Sequence, residues 1–171
     1  MRHTALLLSN AWCLAALSSG VTTSQQDRYL ATLRAVTAPF QSLDSAMADG
    51  WGTKVTSCKS DSSAGGMGFH YGNTTYIDGS VQVDQPELLL YEPQANGTNR
   101  LVAVEYIIPY TAHSRDGTPP VLFGQEFKQN DTFQLWGLHV WAWKTNPSGL
   151  YADWNPQVTC AHTTDVASMS R

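Results

Sequence analysis

The sequence predicts an α+β fold, a kinked N-terminal helix packed on a curved, mainly antiparallel sheet or partial barrel. Two observations carry this. One apolar stripe with helical spacing comes early in the chain. A run of segments rich in Val, Ile, Leu and aromatics, separated by turn signals, fills most of the remainder. A helix followed by a run of antiparallel strands is an α+β pattern. An all-β jelly roll is the alternative.

The helix is expected from a cap at Thr23 or Ser24 to Asp49. Tyr29, Leu33, Val36, Phe40, Leu43 and Met47 recur at alternating steps of four and three, which puts them on one helix face. Pro39 falls inside this run and must kink or split the helix, because it has no N–H to donate and its ring crowds the preceding turn. The stripe keeps its phase across Pro39, so a bend is expected. Gly50 supplies the stop. The polar face is not Lys-rich, so the stripe reads as a surface packed on a sheet rather than on a membrane.

Beyond the helix, residues 57–68 read as a Ser/Gly-rich loop. Strands are expected at 86–92, 100–108, 121–127 and 133–143, the last being the longest. Asn96-Gly97 marks a hairpin between the first two. Gly137 marks a bend or bulge. Asn146-Pro147-Ser148-Gly149 and Asn155-Pro156 are turn signals.

The 171 residues suit one domain. Charged residues are 14% of the chain, against roughly 25% in an average globular protein. The net charge is −4, and the ten basic residues are scattered. A phosphate-binding groove needs clustered Lys and Arg, so nucleic acid is excluded as a partner. Arg2 and His3 precede an apolar stretch, Ala5 to Leu17, and then Ser18-Ser19-Gly20. This is the pattern of a secretory signal, too short to span a bilayer. Residues 1–20 are therefore read as a signal peptide, 21–162 as the α+β domain and 163–171 as a flexible tail. A secreted, extracellular location follows.

Cys13 would leave with the leader, so Cys58 and Cys160 remain as a pair for a disulfide in an oxidising compartment. No C-x-x-C spacing points to zinc or redox chemistry. Asn73, Asn96 and Asn130 each open an N-x-[ST] acceptor for glycosylation.

Chemistry is expected where ionisable groups stand alone in apolar strands. Glu105 is the single charge between Leu101 and Ile108. Strict alternation puts it on a face with Leu101, Ala103 and Ile107. His139 is the lone ionisable group of its strand, on a face with Leu135, Trp141 and Trp143. His70 follows the glycine run 65–68 and sits between Phe69 and Tyr71. A buried carboxylate is costly unless paired, hydrogen-bonded or bound to a cation. If these strands share an inner face, His70, Glu105 and His139 converge. Two imidazoles and a carboxylate can hold a divalent metal with open positions, and Glu105 with His139 can act as a catalytic proton-transfer pair. Tyr71 and Trp141 are further candidates for contact with a ligand. The structural reading is a satisfied network of buried polar groups. No H-x-H or H-x₃-H spacing supports a metal. His113 lies in a polar loop and His162 near the tail. Glu87 and Glu92 are five apart and should face opposite ways. No Gly-x-Ser-x-Gly elbow and no P-loop is present.

Taken together, Gly66-Met67-Gly68-Phe69-His70-Tyr71, Pro86 to Pro93 (PELLLYEP), Leu101 to Tyr106 (LVAVEY), Leu138 to Trp143 (LHVWAW), Asn146-Pro147 and Asn155-Pro156 before a Cys form a specific set. The set resembles a family of small exported bacterial and fungal proteins of unassigned function. The resemblance covers most of the mature chain and implies fold unity and export, with no activity attached. Pro39 within the helix departs from the pattern.

The functional expectation is an exported protein with an internal polar pocket for a small ligand or metal. The rival expectation is an extracellular structural or interaction module that presents the Trp-rich segment 141–154 to a partner, a sugar included. The two differ in whether those Trp side chains are exposed.

Overall fold

Thr22, one residue before the expected caps, opens the first helix: its hydroxyl accepts the Gln25 N–H at 3.3 Å. The structure, a computed structural model, describes residues 21–163. The expected signal peptide, 1–20, and positions 164–171 of the expected tail lie outside the described residues. Helix α1 spans Thr23–Thr37 and passes into a 3₁₀ turn, Ala38–Gln41, in which Pro39 sits near the start. Ser42 then adopts an extended conformation (ψ 124°) and caps a short second helix, α2, Leu43–Ala48. The helix is thus split rather than bent. The stripe loses its phase at the split: Leu33 and Phe40 are buried, but Ala46 takes the inward place and Met47 is 46% exposed. Gly50, at φ 113°, ends α2 as expected.

The remaining chain builds a curled, six-stranded antiparallel sheet, so the α+β expectation holds over the jelly roll. Its strands are β1 (Thr53–Asp61), β2 (Gly65–Gly72), β3 (Leu88–Pro93), β4 (Asn99–Pro109), β7 (Lys128–Asn130) and β8 (Leu135–Val140), in the spatial order β1-β2-β3-β4-β8-β7. Between β4 and β7, the two-residue strands β5 (Val121–Leu122) and β6 (Gln125–Glu126) make a separate hairpin.

Three strand expectations change. Residues 57–68 are mostly paired, not loop: β1 and β2 run antiparallel through them. The segment 121–127 turns back on itself at Phe123 and Gly124, both at positive φ, instead of extending. The last strand is cut to six residues by the turn at 131–134 and by the bend after Val140, which leaves β4, with eleven, the longest.

Strict alternation also fails in β4. Leu90 pairs with Ala103 but Tyr91 with Leu101, so the strand carries a bulge at Val102. Leu101, Val104, Tyr106 and Ile108 pack on the helix side, while Val102, Ala103 and Ile107 pack on the opposite side. The expected companionship of Leu101 with Glu105 is overturned by that one extra residue.

Specific hydrogen bonds dock the helices. Tyr91 Oη donates to Phe40 O at 2.7 Å, Trp143 Nε1 to Thr37 Oγ1 at 2.9 Å, and Arg34 Nε to Ala142 O at 2.9 Å. The segment 141–160 reaches both faces: Trp143 and Tyr151 pack on the helix side, and Trp141 and Val158 belong to the core of the other face. Asn155 pairs with Gly66 through reciprocal backbone bonds of 3.0 Å. A Cβ on Gly65 would lie 2.2 Å from Asn155 O, so glycine is required for this approach. Within the Trp-rich segment, Trp141 is 2% exposed and its indole N–H donates to Ala152 O at 2.6 Å, while Trp143 and Trp154 are partly buried. Cys58 and Cys160 form the expected disulfide, tying β1 to the end of this segment.

Glu87 and Glu92 serve separate networks, as their spacing implied. Glu92 pairs with Lys144 at 2.7 Å and accepts the Thr159 N–H at 3.1 Å. Glu87 is 1% exposed and accepts the Ile107 N–H at 3.1 Å. Burial pushes its carboxyl up to about 8, with Asp78 and Glu105 adding repulsion. Of the three sequons, Asn96 lies in the exposed turn between β3 and β4, Asn130 ends β7, and Asn73 is buried.

Two expectations about stability follow. Replacing both Cys58 and Cys160 by Ala opens a loop of 102 residues and should cost about 4–5 kcal/mol in urea unfolding. A neutral Glu87 is favoured by the folded state, so its contribution is fully present below about pH 4.5 and is lost as pH rises toward 8. Glu87→Gln keeps an acceptor for Ile107 N–H without the charge. It should match the native protein near pH 5 and exceed it by roughly 1–3 kcal/mol near pH 9; equal stability curves at both pH values would contradict the assignment.

Candidate metal centre

Glu105 projects from the middle of β4 on the face opposite the helices, level with His139 of β8. His70 belongs to β2, two strands away from β4 on the other side, with β3 between them. Strands lie about 4.8 Å apart, so a flat sheet would hold these backbones roughly 10 Å from one another. The curl of the sheet and two long side chains close that gap. His70 Nε2 lies 3.6 Å from Glu105 Oε2, and His139 Nε2 lies 3.7 Å from the same oxygen. The three donor atoms are all within 4.8 Å of one another. Among the described residues, no other group of three such side chains comes together.

The spacing is informative. A hydrogen-bonded network would close to about 2.7–3.0 Å. Here both contacts stay longer, and His139 Nε2 is buried with no hydrogen-bond partner. Two donors bound to one ion at about 2.0–2.2 Å stand roughly 3–4 Å apart, which is the spacing of the His–Glu contacts. The glycine at position 137 makes the arrangement possible. A Cβ there would lie 2.8 Å from Glu105 Oε1, so Gly137 is the space the carboxylate occupies. The sequence marked it only as a bend.

Each imidazole is oriented through its other nitrogen. His70 Nδ1 is 2.9 Å from Thr56 Oγ1. His139 Nδ1 faces Asp153 Oδ1 at 3.7 Å, an ion-pair distance, and Asp153 is itself paired with Lys128 at 2.9 Å. Such partners behind a ligating His fix the tautomer and ring orientation. Burial, with His139 and Lys59 adding repulsion, pushes His70 down to about 3, so it is neutral and carries a free lone pair near neutral pH. Burial raises Glu105. Burial opposes charge on His139, but the Glu105 and Asp153 carboxylates outweigh it and raise its pKa. Asp153, held by His139 and Lys128, is lowered to about 2.

The cluster lies on the wall of a pocket of about 260 Å³. Val55, Met67, Leu88, Ile107, Phe133, Leu135 and Trp154 give it apolar sides; Thr56, Lys59, Asn130 and Thr132 give it polar points. Tyr71 and Trp141, expected near a ligand, are not on this wall. Tyr71 faces the helix side, edge-on to Tyr91, and Trp141 is packed in the core of the other face. His113 bonds Thr118 O in its own loop and His162 is exposed, both apart from the cluster.

Sequence reasoning missed Thr56, Lys59, Gly137 and Asp153. Thr56 is in β1, and Lys59 falls in the stretch read as loop. Asp153 carried a usable signal: it is a lone carboxylate among aromatics just before Asn155-Pro156. Comparison with family models, with curated proteins and with solved structures finds no match. The reading of the site therefore rests on its own geometry.

Gly137→Ala tests that geometry. The added methyl must displace the Glu105 carboxylate while leaving the strand intact. The variant should fold, by circular dichroism, yet bind divalent metal at least about 10-fold more weakly, as for loss of a supporting group. Unchanged affinity would show that Glu105 is not held at the centre.

Proposed function

We propose that the protein is an exported metalloprotein in which His70, Glu105 and His139 hold one divalent first-row ion and present its open positions to a small molecule in the apolar pocket. The observation that carries the reading is the buried His139 Nε2, unpartnered, facing a carboxylate oxygen that a second imidazole also faces at the same spacing. Two His and one carboxylate are the donor set of open, non-structural sites for zinc and for iron. An ion held so can polarise a ligand oxygen or lower the pKa of a bound water. The residues around it support the same use. Thr56 and Asp153 orient the imidazoles, and the apolar walls exclude bulk water and shape what can approach. The disulfide suits an oxidising exterior, which supports export. The resemblance to small exported bacterial and fungal proteins points the same way. Burial of Trp141 removes that side chain from the surface the rival interaction module would present to a partner.

The test is direct. Protein prepared with its disulfide intact, stripped with chelator and titrated with Zn²⁺, Mn²⁺, Co²⁺ or Cu²⁺ by calorimetry should bind one ion per chain. His70→Ala and His139→Ala should weaken that binding by roughly 100-fold or more, and Asp153→Asn, acting through His139, by about 10–100-fold. Absence of one-to-one binding by any of these ions, with the protein folded, would reject the metal reading.

A further inference from the structure

Lys59 reaches the pocket through an irregularity in β1. Thr56 pairs with His70 and Lys59 with Gly68, so three steps on β1 match two on β2. In a regular strand, residues three apart face opposite ways. The extra residue brings both Thr56 and Lys59 to the pocket wall. The half of the site nearest β1 thus depends on a bulge, and the neighbouring Cys58 anchors that bulge to Cys160.

Lys59 has no ion-pair partner among the described residues, unlike Lys128 and Lys144, and it is half-buried. Lys59 is the one Lys or Arg on the lining and Glu105 the one carboxylate. With a divalent ion bound, Glu105 offsets one charge and Lys59 adds another, leaving the pocket net positive. The rest of the wall is predominantly apolar.

We propose that the ligand is a small organic monoanion, a carboxylate on an apolar body, whose carboxylate lies between Lys59 and the metal held by His70, Glu105 and His139, and whose body lies against Phe133, Leu135 and Trp154. This rests on the metal reading above. A pocket of about 260 Å³ falls just below the range for drug-sized ligands and takes a body of roughly ten to fifteen heavy atoms. A phosphate or sulfate ester is a poorer fit, because dianions and tetrahedral oxyanions call for several donors, commonly an Arg fork. Here one Lys supplies a point charge. A sugar is a poorer fit as well, since the surface the walls expose is mostly apolar and offers its hydroxyls little to bond.

The experiment uses the oxidised protein loaded with Zn²⁺, with benzoate as probe, benzamide as its neutral isostere and acetate as the carboxylate without a body. Calorimetry should show benzoate binding at least about 10-fold tighter than either. Lys59→Gln should lower benzoate affinity by roughly 10-fold, the worth of a charge-assisted contact, without weakening benzamide. Lys59→Arg should retain most of the benzoate affinity. Removing a neighbouring cation should not weaken Zn²⁺ binding in Lys59→Gln. If Zn²⁺ binds but benzoate shows no preference over benzamide, or Lys59→Gln leaves that preference intact, the anion proposal fails and the metal site stands. If another of the four ions binds in place of Zn²⁺, the same comparison is made with that ion; if none binds, both fall.

Discussion

A carboxylate buried in the middle of a sheet is the constraint on which the rest of this structure depends. Glu105 is 7% exposed on the longest strand, with apolar neighbours before and after it along the chain. A buried charge without compensation costs several kcal/mol, far more than one side chain's packing contributes. The surroundings respond in kind. Position 137 gives up its side chain so that the carboxylate has room, and His139 and His70 turn toward the same oxygen. Yet neither closes to hydrogen-bond distance. A fold that needed only internal satisfaction would have let them close. The cation proposed above would account for the open spacing and would offset the buried charge.

The opposite face shows what the sheet does when it has no such task. There the helices, the β5–β6 hairpin and the side chains of Leu89, Tyr91, Val104, Tyr106 and Val140 make an ordinary apolar core. Polar groups in it are paired: Tyr91 and Trp143 both spend their single donor on the helix segment. One face therefore secures stability and leaves the other free to hold a costly cluster. The bulge in β4 marks the boundary, since it assigns Leu101 to the stable core and swings Val102 to the pocket side of the sheet.

The fold class was legible because it rests on periodicity, which survives local errors. The stripe from Tyr29 to Phe40 and the β-rich run 100–108 each point one way. The site was legible in its three donors for a related reason: a lone ionisable group in an apolar strand is conspicuous in composition alone. What could not be read were departures from regularity. Pro39 gave notice of a kink, but Ser42, which recaps the chain and resets the phase, reads as any serine. The bulges in β1 and β4 leave no residue signature, and each moves a side chain to the other face. Gly65 and Gly66 suggested a loop, whereas their absent side chains serve the close approach of Asn155 and Val158, respectively. The glycine at 137 looked like a backbone device and proved to be space for an atom from the neighbouring strand.

The disulfide connects these departures. Cys58 lies within the β1 bulge that aims Thr56 and Lys59, and Cys160 closes the segment that carries Asp153 and Trp154. Neither piece is held by a regular strand ladder at that point: β1 pairs irregularly, and the segment meets the sheet through single contacts, the Gly66–Asn155 bridge and the bonds of Lys144 and Thr159 to Glu92. Thr56 stands behind one imidazole and Asp153 behind the other. A supporting shell on two loosely laddered pieces would drift, and drift of a fraction of an ångström matters at a metal centre. A covalent link between the two restricts their relative motion. The crosslink would thus act on the partners behind His70 and His139 as well as on the unfolded chain.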